Sequence, residues 1–164
     1  MRHRQTIAVL ALIGWFVALY LGLHALGIGG ELKCGTGGCD TVQTSRWAEL
    51  LGVPVAFYGV AGYAAILAVA LVGLQPVWLG RRGPTLLLAA LATGGVLFSG
   101  WLTYLELFVI NAICMWCVIS AIIVTLIFIT SVLDLRDYAK GGGAQSDASP
   151  STSPTDSRAQ ITRA

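Results

Sequence analysis

Four stretches without a single Asp, Glu, Lys or Arg constrain this chain more than any other feature: Ile7–Ile28, Val53–Leu74, Thr85–Leu105 and Leu107–Leu133. A helix needs about 20 largely apolar residues to cross ~30 Å of hydrocarbon, because each residue advances ~1.5 Å. All four runs reach that length. Helices on a soluble domain carry charge on their solvent face, whereas these runs are apolar all round. Only 11% of the chain is charged, against about 25% in an ordinary soluble domain. The fourth run is longer than one span, and Asn111 marks a turn inside it. The expected fold is all-α: an integral membrane four-helix bundle with helices over about 7–28, 53–74, 85–108 and 113–133, forming one domain over 1–139. The segment 140–164 is rich in Gly, Ser, Thr, Pro and Ala and is expected to be a disordered tail.

The basic residues orient the bundle. Arg2 and Arg4 precede the first span, Arg81 and Arg82 lie between the second and third, and Arg136, Lys140, Arg158 and Arg163 follow the fourth. With four spans these all fall on one side, which is therefore cytoplasmic, as are both termini. The other side carries the 29–52 loop, where Lys33 and Arg46 are outnumbered by Glu31, Asp40 and Glu49. The apolar part of the first run is longer than the ~7–15 residues of a signal-peptide core, so it reads as a retained span. A net charge of +2 excludes a dense basic surface for nucleic acid. Within the outer loop, Ser45–Leu51 reads as a short amphipathic helix at the membrane surface, with Trp47, Leu50 and Leu51 on one face.

Four cysteines form two pairs, Cys34-Gly-Thr-Gly-Gly-Cys39 in the outer loop and Cys114-Met-Trp-Cys117 at the outer end of the fourth helix. All four face a compartment in which disulfides persist. Cys114 and Cys117, three apart on a helix, share a face, and Cys117 lies ~4.5 Å deeper. A helix N-terminus favours the thiolate of Cys114. The glycines between Cys34 and Cys39 let that loop turn sharply and move. Three readings stand at this point. Two static disulfides would brace a membrane scaffold. A Cys₄ zinc site is the second, disfavoured by a pair that begins inside a span. A thiol–disulfide relay, in which one thiolate attacks the next disulfide, is the third and the preferred one. The sequence offers no haem ligand pair, nucleotide-binding glycine motif or further cysteine, so by elimination the relay's electron acceptor is a quinone dissolved in the bilayer.

The chain resembles the vitamin K epoxide reductase family, in particular its bacterial disulfide-forming members. The resemblance covers about residues 6–135. It rests on Cys34 and Cys39, on Ser45-Arg46-Trp47 six residues after Cys39, on Gly52-Val53-Pro54 running into Phe57-Tyr58-Gly59, and on Cys114-Met-Trp-Cys117. DsbB-type quinone-coupled oxidases place their cysteine pairs in the opposite order. The resemblance implies that Cys34 receives electrons from a reduced thioredoxin-like partner through a mixed disulfide, that Cys39 passes them to Cys114, and that Cys117 faces the quinone, ubiquinone or menaquinone. It implies Ser45, Trp47 and Tyr58 as further residues beside the quinone, and no metal. Val55 and Ala121 stand where the vertebrate enzymes have Asn and Tyr, which favours reduction of a quinone over that of an epoxide. With both termini cytoplasmic, the partner is expected to be a separate, DsbA-type protein of the outer compartment, and the membrane is expected to be the cell's inner (plasma) membrane.

Other residues carry blander readings. His24 reads as a hydrogen-bonded structural residue. Glu106 reads as an interfacial residue that ends the third span, with proton delivery to a quinone as the second reading. Trp101, Tyr104 and Trp116 suit either a quinone pocket or the bilayer interface. Gly94, Gly95 and Gly100 would permit close helix approach.

Overall fold

In the computed structural model, described over residues 2–28, 38–75 and 82–146, the chain is a bundle of four long helices. They are α1 (Arg2–Ala25), α3 (Val55–Gly73), α4 (Arg82–Leu105) and α5 (Met115–Ser146). A short helix α2 (Cys39–Gln43) and a two-stranded hairpin, β1 (Glu49–Leu50) and β2 (Val53–Pro54), lie between α1 and α3. Each of the four contains a segment long and apolar enough to cross a membrane: His3–Ala25, Val55–Gly73, Gly83–Ile110 and Met115–Asp137. The protein is thus a multi-pass membrane protein with the expected number of spans.

Packing follows the demands of lipid, where helices associate through close fit rather than through water exclusion. α1 packs on α3 and α5, and α4 packs on α5 and α3. Their shared core mixes small residues, Ala11, Ala18, Ala70 and Ala92, with Ile7, Ile66, Leu88, Val124 and Ile127. The ring of Tyr63 lies on the bare backbone of Gly14, so close that a Cβ there would collide with the ring. The Tyr63 hydroxyl donates to the Ser120 carbonyl at 2.8 Å, tying α3 to α5. Large apolar side chains such as Phe16, Leu97 and Phe108 point outward, as lipid permits. Of the three glycines expected at helix contacts, only Gly95 is one: a Cβ there would meet Val124 Cγ2 at 2.7 Å, while Gly94 and Gly100 face open space.

The end of the bundle away from the cysteines is closed by a buried polar cluster. Arg4 donates to the Gly73 carbonyl, to Thr85 Oγ1 at 2.8 Å, and pairs through Nε with Asp134 at 3.5 Å. One side chain thereby links all four helices.

Several boundaries differ from those expected from hydropathy. α1 begins at Arg2 because Arg4 is used inside the bundle. It ends at Ala25 because Gly27, at φ +75°, caps it: the amide of Gly27 donates to His24 and that of Ile28 to Leu23. α4 starts at Arg82 with Pro84 in its first turn, where the missing N–H costs nothing. α5 continues to Ser146, beyond Gly141, so the start of the segment expected to be disordered is helical; 147–164 lie outside the described residues. The short outer-loop helix exists, but over Cys39–Gln43 rather than Ser45–Leu51. Leu51 and Gly52 both have positive φ, and Leu50 pairs with Val53, which makes a two-residue hairpin of the segment read as helical.

Candidate functional site

The second buried cluster of the protein gathers around cysteines. Cys39 and Cys114 are both fully buried, and they share this cluster with Leu21, Val42 and Ala56, flanked by Ile110, Trp116 and Cys117. Cys39 is the first residue of α2 and is disulfide-bonded. Cys34 lies outside the described residues, as do Gly35 and Gly37. What brings α2 against the start of α5 is Gly38. A Cβ on Gly38 would fall 2.6 Å from the carbonyl oxygen of Ile113 and 3.0 Å from its nitrogen, both of them backbone atoms. Gly38 has φ −92° and ψ −6°, open to any residue. Its hydrogen side chain is needed for the close approach, not for the dihedral angles.

Cys114 stands one residue before α5. Its carbonyl accepts the first bond of the helix, from the amide of Val118 at 3.1 Å, so it occupies the cap position rather than the first turn. Cys114 and Cys117 are free thiols hydrogen-bonded to one another. Cys114 precedes the spanning segment, and its pKa is lowered. The hydrogen bond from the Cys117 side chain is the main cause, opposed by burial and assisted by the backbone N–H groups of Cys117 and Trp116. These amides belong to the orphan donors of a helix N-terminus, and here they stabilise a thiolate.

Of the two sequence readings of Glu106, an interfacial end to the third span and proton delivery to a quinone, the structure corrects the first. It begins a π-helical turn, Glu106–Ile110, at the end of α4, and only 4% of it is exposed. Its Oε2 accepts the backbone N–H of Cys114 at 3.3 Å, and its carboxyl is hydrogen-bonded to the Cys117 side chain. Asn111 closes the turn at φ +54°, ψ +35°, a left-handed conformation that Asn tolerates. A turn at Asn111 was expected; the inward carboxylate was not. Glu106 nevertheless continues the stripe Leu88, Ala92, Gly95, Ser99 and Leu102, whose three- and four-residue steps define one helix face. That spacing was the available signal.

Two cavities meet at Cys117. The larger, of about 300 Å³, opens between α3 and α4 and is mainly apolar, lined among others by Leu21, Tyr58, Tyr63, Phe98, Leu102 and Cys117, with Gln43, Ser99 and Ser120 as polar groups. The smaller, about 30 Å³, lies under the outer loop and is lined by Gln43, Ser45, Trp47, Glu106 and Cys117 among others. Tyr58 therefore lines the larger cavity, where its ring lies 6.3 Å from that of Phe98 and its hydroxyl donates to the Leu50 carbonyl at 3.0 Å. Ser45 and Trp47 line the smaller one. Ser45 donates to the Val42 carbonyl at 2.8 Å, and Trp47 carries the Arg46 guanidinium 5.1 Å above its ring. Trp101 and Tyr104 are exposed and stack on each other, Tyr104 also stacks on Phe108, and Trp116 packs on Tyr20; none of these lines either cavity. Gln43, which lines both, carried no signal beyond its place four residues after Cys39. Among the described residues no cluster of three metal-ligating side chains occurs.

The arrangement is a dithiol, Cys114 buried and Cys117 half-buried, beside a carboxyl, with a third, disulfide-bonded cysteine in the same cluster and an apolar cavity reaching the deeper thiol. The family model described as "Vitamin K epoxide reductase family" matches residues 5–132, which reaches into all four helices and takes in both cysteine pairs. The chain belongs to the vitamin K epoxide reductase family, a family of membrane oxidoreductases.

Proposed function

We propose that this protein is a quinone-dependent thiol–disulfide oxidoreductase that generates disulfide bonds. Electrons enter from a reduced thioredoxin-like protein of the outer compartment at Cys34. They pass by way of Cys39 to Cys114 and Cys117, and leave to ubiquinone or menaquinone in an inner (plasma) membrane whose cytoplasmic face carries both termini. The observation that carries this reading is the position of Cys117, a free thiol hydrogen-bonded to Cys114 on one side and lining the apolar cavity of about 300 Å³ on the other. That volume sits at the lower end of small-molecule sites, which are mostly apolar with a few placed polar groups. A quinone supplies a flat two-electron acceptor with two carbonyl oxygens. Leu21, Tyr58, Phe98 and Leu102 would hold its ring, and Gln43 and Ser120 offer donors. Val55 lines both cavities and contributes no hydrogen-bond donor, which favours a quinone over an epoxide substrate.

Exchange proceeds by thiolate attack on a disulfide sulfur. The lowered pKa of Cys114 suits it to attack, and burial of Cys39 in the same cluster keeps water and foreign thiols from the internal step. Maleimide trapping in cells deprived of quinone tests the reading. A relay accumulates free thiols at Cys114 and Cys117 under deprivation. A scaffold braced by static disulfides stays oxidised, and that result would overturn the proposal.

A further inference from the structure

Glu106 is a buried carboxyl that the thiol relay as described does not use. Its surroundings are specific. The carboxyl takes the N–H of Cys114 at 3.3 Å and contacts the Cys117 thiol. The side chains lining the small cavity beside it from α2, the loop and α3 include Gln43, Ser45, Trp47 and Val55, all uncharged. Among the described residues Cys114 and Cys117 are the titratable groups that face it, and no Lys or Arg lines that cavity. Burying a carboxyl without a cationic partner is costly, and a bundle that needed only a cap for one amide would be served as well by an uncharged acceptor. The cavity is large enough for a water between Glu106 and the polar groups of Ser45 and Gln43.

We infer that Glu106 is the catalytic proton carrier of the Cys114–Cys117 pair, taking the proton from the Cys117 thiol as its sulfur is oxidised and handing it to a carbonyl oxygen of the quinone in the adjoining cavity. The inference rests on the quinone reading above. The balance is closed. Two S–H bonds break, the Cys114–Cys117 bond forms, two electrons pass to the quinone, and two O–H bonds form on it. Glu106 carries the Cys117 proton and ends the cycle in the state in which it began; the Cys114 proton passes to water as the thiolate forms, and water supplies the proton of the second quinone O–H bond. No further oxidant or reductant enters. Only a group in contact with the reacting sulfur can perform this transfer at the required distance, and among the described residues Glu106 is the charged side chain lining either cavity that does so.

The test uses the full chain in lipid nanodiscs, wild type and Glu106→Gln. Glutamine keeps an acceptor oxygen for the Cys114 amide, so a purely structural role survives the substitution, whereas a proton carrier is lost. The pre-reduced protein is mixed with a short-chain ubiquinone or menaquinone and a single turnover is followed across pH. The expected result is a loss of roughly 10²–10⁴-fold in the variant, the range for removal of a general acid–base, together with loss of the wild-type pH dependence. A second readout needs no quinone: redox-difference infrared spectra as diamide oxidises the pair. The wild type should show a carboxyl C=O band that changes with the redox state of the cysteines and vanishes in Glu106→Gln. A variant as fast as wild type with the same pH profile overturns the inference and leaves the quinone reading intact. An infrared spectrum with no carboxyl change in the wild type also overturns it, even where the variant fails to fold. A wild type that forms the Cys114–Cys117 bond with diamide yet reduces neither quinone overturns the proposed function instead.

Discussion

Gly38→Ala isolates the contact that holds the two cysteine pairs together. Cys39 follows Gly38 and Cys114 follows Ile113, so the Gly38–Ile113 contact sets the spacing of the two sulfurs from one residue away. The added methyl would meet the Ile113 carbonyl oxygen at 2.6 Å, its nitrogen at 3.0 Å and its carbonyl carbon at 3.3 Å. None of these atoms belongs to a side chain that can swing aside. Restoring ordinary contact at roughly 3.5 Å forces α2 back by roughly 1 Å. Overpacking of this kind costs about 1–3 kcal/mol. The larger effect is kinetic, because a disulfide forms only when the two Cα atoms lie within about 4.4–6.8 Å, and a misplacement of ~1 Å at a reacting pair costs on the order of 10²-fold. The assay uses a Cys34→Ala/Cys117→Ala background, in which Cys39 and Cys114 are the remaining thiols, and follows their linkage by non-reducing peptide mapping after addition of diamide. Gly38→Ala should slow linkage about 100-fold. Gly100→Ala, on an open helix face, should leave it unchanged. Equal rates for Gly38→Ala and its parent would refute the reasoning.

Three further outcomes are expected, the first from the proposed relay and the other two from the geometry. Cys39→Ala should trap the thioredoxin-like partner on Cys34 as a stable mixed disulfide, Cys34→Ala should abolish that complex, and Cys117→Ala should trap a Cys39–Cys114 bond; non-reducing electrophoresis reads all three, and a partner trapped by Cys34→Ala would reverse the assigned order. In a Cys34→Ala/Cys39→Ala background, thiolate absorbance should show Cys114 ionising below the ordinary thiol range, so that its thiolate persists as pH falls. Cys117→Ala removes the main cause and should move that titration upward, and no movement would contradict the assignment of cause. At the other end of the bundle, Arg4→Ala leaves the Asp134 carboxylate, 16% exposed, without its cation. It should cost about 3–5 kcal/mol, read as a lower thermal midpoint that Arg4→Met/Asp134→Leu partly recovers.

The four spans were legible because lipid leaves a helix no way to carry charge on its outer face, so uninterrupted apolar runs map directly onto membrane crossings. Helix ends were less legible, since caps and tertiary contacts set them. Arg4 reads as a flanking charge, yet its guanidinium is consumed by Gly73, Thr85 and Asp134, which carries α1 back to Arg2. The segment Ser45–Leu51 has apolar residues at helical spacing, and seven residues cannot separate a helix from a turn and hairpin on spacing alone. The hairpin signal was Gly52 before Val53-Pro54. Leu51 obscured it, because the first position of such a turn ordinarily holds Asn, Asp or Gly. Leu51 takes φ +57° and is 92% exposed, a conformation that costs a bulky residue on the order of 1 kcal/mol.

The candidate site was legible in its cysteines, whereas the contact of Glu106 with them was not, and one piece of backbone accounts for the difference. Cys114-x-x-Cys117 at a helix start is a local pattern that needs no tertiary information. Glu106 lies eight residues before Cys114, on a different helix, and its function depends on how the chain turns between them. The π-helical turn Glu106–Ile110 and the left-handed Asn111 bring the chain back over its own starting point. The amide of Ala112 bonds the Glu106 carbonyl at 3.1 Å and the amide of Cys114 reaches the Glu106 carboxylate. A regular α-helical end would leave the amide of Ala112 without that bond and start α5 at a different angle to the carboxylate. The wide turn, which is often found at functional sites, is what makes a carboxyl at the end of a span a partner of the Cys114 amide and the Cys117 thiol.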